Sequence, residues 1–139
     1  GAVAAAAELL GLGRELVDLT VEYAKGRVQF GQPIGAFQAV EHHLANAHTQ
    51  LEFARPPVYY AAWCLQEGTG DAPLQASTAK ALAGDAAHGC FRTALQCHGA
   101  IAYTYEYHAH MWMKRVLVLE RQYGDAAWHR ARAAAALLD

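Results

Sequence analysis

Cysteine and charge are both scarce in this sequence, and each scarcity excludes something. The three cysteines, Cys64, Cys90 and Cys97, are an odd number with no C-x-x-C spacing. A disulfide framework is therefore not expected, and free thiols in a reducing compartment are. Charged residues make up 17% of the 139, the formal net charge is −2, and no basic run occurs. That argues against nucleic acid or an anionic membrane as the main partner. No apolar run is long enough to span a bilayer, and the apolar stretch Gly1 to Ala7 has no basic flank of the kind a signal peptide carries. Sustained period-two alternation and hairpin turn chemistry are both missing, so no strands are expected. What remains is 54% hydrophobic, which suits one soluble, cytoplasmic globular domain with a core of its own.

Helical periodicity dominates the chain. Leu9, Leu12, Leu16, Leu19 and Tyr23 recur at steps of three and four, with Glu8, Glu15, Asp18, Glu22 and Lys25 on another side. This is an amphipathic helix from about Val3 to Val28. Phe30-Gly31-Gln32-Pro33-Ile34-Gly35 breaks it. A second helix carries the stripe Phe37, Val40, Leu44, Ala47, Leu51, Ala54, Val58, Ala61 and Leu65, with a kink or break expected at Pro56-Pro57. After the loop Gly68 to Pro73, Asp71 is a candidate N-cap for a third helix, roughly Leu74 to Cys97. Its Ala, Gly and Ser content places it in the middle of a bundle, where small residues let backbones approach. A turn at Gly99 to Ala102, a fourth helix from about Thr104 to Arg121 and a last one from Ala126 to Leu138 complete the reading. The fold class is all-α, an antiparallel bundle of four to five helices.

Three clusters stand out, and each has a plain and a chemical reading. In Arg27-Val28-Gln29-Phe30-Gly31-Gln32-Pro33-Ile34, followed by Phe37-Gln38, Arg27 either complements a helix C-terminus or offers a guanidinium to a phosphate or pyrophosphate. In Gln96-Cys97-His98-Gly99-Ala100, Gly99 either caps a helix or lets the backbone approach a ligand that Gln96 and His98 orient. In Thr104-Tyr105-Glu106-Tyr107, Thr104 and Glu106 either cap a helix start, or Glu106 is a partly desolvated carboxylate with a raised pKa, suited to general-base work. The eight histidines form neither HExxH nor Glu-x-x-His, and no metal site is expected.

The order of these clusters resembles the acyl-CoA dehydrogenase family. R-x-Q-F-G-x-P-I followed by F-Q, then Q-x-H-G, then Y-T-x-E are the matching residues, and the resemblance covers essentially the whole chain as that family's C-terminal helical domain. It implies FAD as cofactor, with Arg27, Gln29, Phe30 and Gln38 on the pyrophosphate of an adjacent subunit's FAD. It further implies Gln96, His98, Gly99 and Ala100 on the adenosine side, and Glu106 as the base that removes the α-proton of an acyl-CoA while a hydride leaves the β-carbon. The implied product is a trans-2-enoyl-CoA, and the implied electron acceptor is an electron-transferring flavoprotein. A homo- or hetero-oligomer, dimer or tetramer, follows because the family's flavin lies across a subunit interface. The family's N-terminal helical and middle β domains are absent from residues 1–139.

The sequence also departs from the family. Gly99-Ala100-Ile101-Ala102 stands where G-G-x-G is usual, and Asp125-Ala126-Ala127 follows Gly124 where Thr-x-Gln is usual. These changes motivate an alternative, an accessory subunit or helical oligomerisation module that lends FAD contacts to a partner without chemistry of its own.

Overall fold

The computed structural model describes residues 1–138. Five helices carry the fold: α1 Ala2–Gly26, α2 Gln38–Glu67, α3 Ala72–His98, α4 Ala109–Leu119 and α5 Ala126–Leu138. Between α1 and α2 lies a two-stranded antiparallel ribbon, β1 Val28–Gln29 and β2 Gln32–Pro33, followed by a 3-10 turn over Ile34–Ala36. A second 3-10 segment, Gly99–Tyr103, follows α3.

The alanine-rich α3 sits at the centre and touches each of the other helices. Its buried residues include Ala79, Ala83, Ala86, Ala87, Cys90 and Ala94, short side chains that bring neighbouring backbones close. Gly13 of α1 shows how close. A Cβ there would lie 2.8 Å from Leu51 Cδ1 of α2 and 3.6 Å from Ala87 Cα of α3. The α1 stripe Leu9, Leu12 and Leu16 and the α2 stripe Leu51, Ala54, Val58 and Ala61 are buried, as the periodicity required. Leu19 packs partly buried against the same core. The C-terminal ends of α1 and α3 meet, with Tyr23 stacked on His98. At the other end, Lys80 near the start of α3 reaches the end of α4. Successive helices therefore alternate in direction around the first four elements.

Four expectations need correction. Of the kink or break expected at Pro56-Pro57, the break does not occur: α2 stays helical through both prolines. Two prolines delete only two backbone donors, and the buried residues on both sides keep α2 packed through them. Helix α1 stops at Gly26, because Arg27 turns to extended geometry and its carbonyl accepts the Ile34 amide at 2.8 Å. Strand pairing exists despite the missing turn signature. Phe30 (φ 54°) and Gly31 (φ 83°) close a two-residue loop with both central residues left-handed, the geometry usually supplied by Asn-Gly. The fourth helix begins at Ala109 rather than near Thr104 and ends at Leu119, since Gly99–Tyr103 takes up a 3-10 course first. Asp71 does sit at the N-cap of α3, which starts two residues before Leu74. Its carboxylate makes no capping bond, accepting instead from the Thr69 hydroxyl at 2.6 Å and the Gln75 amide at 3.0 Å.

Candidate functional site

The three sequence clusters come together at one end of the bundle, joined by three rings. Tyr23 lies in the last turn of α1, and the Arg27 amide donates to its carbonyl at 2.8 Å. Its ring stacks on His98 at the end of α3, with centroids 4.3 Å apart, and meets Tyr107 edge-on at 5.8 Å. The Tyr107 ring leans on His98 at 4.7 Å. Arg27, Gly99 and Glu106 thus each follow or precede a member of one aromatic cluster by at most four residues.

His98 is only 5% exposed. Its Nδ1 lies 2.8 Å from the Ala94 carbonyl and its Nε2 3.0 Å from the Tyr107 hydroxyl. A carbonyl can only accept, so Nδ1 carries the proton, and Nε2 accepts from Tyr107. Burial pushes the imidazole below its ordinary value, with the Ala94 hydrogen bond working against that shift. That direction agrees with the acceptor role of Nε2, which only the neutral ring can play. Both nitrogens are engaged inside the chain, so His98 fixes the backbone that follows it and has no free nitrogen to orient a ligand. Gly99 then takes φ 66°, ψ −143°, a region nearly confined to glycine.

The hairpin presents a different surface. Phe30 sits at its tip, 93% exposed in a left-handed conformation, with its ring edge-on to Phe37. Arg27 and Gln38 are exposed, and among the described residues Arg27 joins no ion pair. The Gln29 side-chain amide donates to the Val28 carbonyl at 2.6 Å. Helix α2 starts here, with no side-chain cap on its first amides. An exposed guanidinium on the segment that leads into the uncapped start of a 30-residue helix offers the kinds of donor that suit a diphosphate. Gln96 and Ala100 are exposed at the end of α3.

Glu106 does not occupy the environment the sequence suggested. It lies on an exposed turn ahead of α4, outside any first helical turn, and this chain by itself does not desolvate it. Thr104 caps nothing either, since its hydroxyl donates to the Ile101 carbonyl at 2.9 Å. Tyr105 is 84% exposed, with the Lys114 ammonium over its ring at 5.1 Å. Tyr107 alone of the two tyrosines is tucked inward. Its carbonyl also accepts from His110 Nδ1 at 2.8 Å.

Sequence reasoning missed Tyr23 and Tyr107 as site-builders, and it missed a buried polar knot at the opposite end. There Lys80, 1% exposed, donates to the carbonyls of Glu120 at 3.0 Å and Gly124 at 3.1 Å. The buried His129 donates from Nε2 to the Tyr123 carbonyl at 3.0 Å, while its Nδ1 has no partner. The one available signal was a lysine at helical spacing with the small residues Ser77, Ala83 and Ala87. A groove of about 440 Å³ between α1 and α2, lined by Val3, Leu10, Leu51, Val58 and Tyr59, contains none of the expected site residues. No three His, Cys, Asp or Glu side chains converge as metal ligands among the described residues. None of the helices is long and apolar enough to cross a membrane.

Residues 1–138 match the family model described as acyl-CoA dehydrogenase, C-terminal domain. The chain belongs to the acyl-CoA dehydrogenase family. It is 40% identical over 114 residues to acyl-CoA dehydrogenase IpdE2 of Mycobacterium tuberculosis, an alignment covering 82% of this chain and 34% of that protein. Its fold matches butyryl-CoA dehydrogenase from Megasphaera elsdenii with a TM-score of 0.93 and 34% identity, over 100% of this chain and 36% of that one. It also matches an FAD complex of PigA, with a TM-score of 0.86 and 28% identity, over 95% of this chain and 34% of that one. The chain therefore spans about a third of the length of these acyl-CoA dehydrogenase relatives.

Proposed function

We propose that this domain holds the nucleotide part of FAD in an acyl-CoA dehydrogenase that converts an acyl-CoA thioester to its trans-2-enoyl-CoA. The observation that carries the reading is the convergence of Arg27, the hairpin and the Gln96–Ala100 segment on one end of the bundle, tied by Tyr23, His98 and Tyr107. Arg27 and the start of α2 neutralise the diphosphate, Phe30 and Gln38 pack beside it, and Gln29 lines the same hairpin. Gln96, Gly99 and Ala100 lie on the adenosine side, with His98 holding the backbone behind them. Phe30, exposed at the hairpin tip, fits a cofactor shared across a subunit interface in a dimer or tetramer.

Bound FAD supplies the acceptor for the hydride that leaves the acyl β-carbon. In this reading Glu106 takes the α-proton, so the C–H electron pair becomes the new double bond. An acyl α-proton is too weakly acidic for a carboxylate in open water. The base role therefore depends on cover supplied from outside residues 1–138. The electrons leave to an electron-transferring flavoprotein.

The exposure of Glu106 favours a second reading. In it the domain contributes its FAD contacts to a partner subunit that carries the base. One experiment separates the two. The protein expressed from its intact gene is purified, titrated with FAD, and assayed with acyl-CoA thioesters as wild type, Arg27→Ala and Glu106→Gln. Loss of flavin binding in Arg27→Ala supports the cofactor site in both readings. A turnover drop of roughly a thousandfold or more in Glu106→Gln, with FAD retained, supports the base. Unchanged turnover in that variant gives the base to another residue or subunit. Unchanged FAD affinity in Arg27→Ala removes the cofactor reading itself.

A further inference from the structure

We infer that Tyr23, His98 and Tyr107 form a latch that positions the three flavin-facing segments, with the Tyr107 hydroxyl on His98 Nε2 as its closing bond. This rests on the cofactor reading above and adds a positioning unit to it.

Geometry is the ground for the inference. Residues 99–106 contain Gly99, Ala100 and Glu106, and little regular structure beyond one 3-10 turn holds them. The bond from Tyr107 to His98 spans nine positions and ties the two ends of that segment at 3.0 Å. Closing a loop by one internal bond fixes its path at the cost of its freedom, and the fixed path is what a ligand contact needs. Tyr23 brings in the third segment. Its ring stacks on the His98 ring, and its carbonyl holds the Arg27 amide from which the hairpin departs. The His98 ring is itself immobilised by the Ala94 carbonyl. A lateral shift of any one ring therefore displaces the other two segments.

The latch has a defined protonation requirement. The titratable groups against the imidazole are the Tyr23 phenol from α1 and the Tyr107 phenol from the following segment. With Nδ1 committed to a carbonyl, a second proton lands on Nε2 and turns the acceptor of the Tyr107 bond into a donor. The closed arrangement belongs to neutral His98, and acidification opens it.

The test uses the protein from its intact gene, with FAD as the probe and its dissociation constant measured between about pH 5 and pH 8, a range that brackets an imidazole. Tyr107→Phe keeps the ring and removes the closing hydroxyl, leaving a buried acceptor unpaired. At pH 8 FAD should bind about tenfold more weakly in this variant. Wild-type affinity should fall on acidification, while Tyr107→Phe should respond much less, because its latch is open throughout. Val58→Ala, a core truncation in α2, serves as a stability control and should lower the melting temperature with FAD affinity within about twofold of wild type. The latch is overturned if Tyr107→Phe stays within twofold of wild type at every pH while Arg27→Ala loses FAD. It is equally overturned if Val58→Ala weakens FAD as much as Tyr107→Phe does, since a general loss of stability then accounts for both. If Arg27→Ala binds FAD normally, the cofactor reading falls and the latch falls with it.

Discussion

Lys80 offers the sharpest quantitative test of how this bundle is held. Its side chain is buried, and its ammonium donates to two carbonyls, Glu120 after α4 and Gly124 before α5. Those carbonyls end one helix and lead into another, so one side chain ties three elements. Replacing Lys80 by Met keeps most of the volume and leaves both carbonyls without that donor, a loss of about 1–3 kcal/mol. Replacing it by Ala removes the stem as well and opens a cavity, for a total of about 3–5 kcal/mol. At roughly 4 °C per kcal/mol for a domain of this size, the melting temperature should fall by about 4–12 °C in Lys80→Met and about 12–20 °C in Lys80→Ala. Scanning calorimetry at neutral pH measures both. Hydrogen exchange should show the extra opening concentrated in residues 119–130, where the lost bonds lie. A Lys80→Met protein as stable as wild type would refute the reasoning. It would mean that relief from burying a charge offsets both hydrogen bonds.

The buried histidines predict acid lability. Burial holds both His98 and His129 below the ordinary imidazole value, and the nearby Lys80 and Arg132 push His129 further down while the Tyr123 bond and Asp125 oppose. The unfolded chain then binds more protons as the pH falls through about 6.5. Stability should be complete above that point and decline steadily below it; a urea midpoint flat from pH 7.5 down to about pH 5 would contradict this. Gly99→Ala should lose roughly 1–3 kcal/mol, because no space limits the methyl but the backbone angles do; an unchanged melting temperature would show that the segment can take another path. Burial pushes the Cys90 thiol up to about 12, so a thiol reagent at about pH 8 should leave Cys90 unmodified in the folded protein and label it after denaturation, as peptide mass mapping would show.

The sequence by itself determined the helices and their buried faces. Leu9, Leu12 and Leu16 had to share one side of α1, and an alanine-rich α3 had to be central, because period and side-chain size act locally and need no knowledge of neighbours. The order of the motifs around Arg27, Gln96 and Glu106 carried the resemblance to the family, since motif order is also read along the chain. Tertiary structure decided what depends on contacts between segments distant in the chain. Pro56 and Pro57 stay helical because packing along α2 outweighs two missing donors, and Phe30 closes a hairpin because Arg27 and Ile34 bond across it. Glu106 reads as desolvated between two tyrosines, yet adjacency in sequence says nothing about water, and on its turn ahead of α4 it is exposed. His98 reads as a ligand contact, yet its nitrogens belong to Ala94 and Tyr107. Burial and hydrogen-bond partnership are set by what the rest of the fold brings near a residue, and only the assembled bundle supplies that.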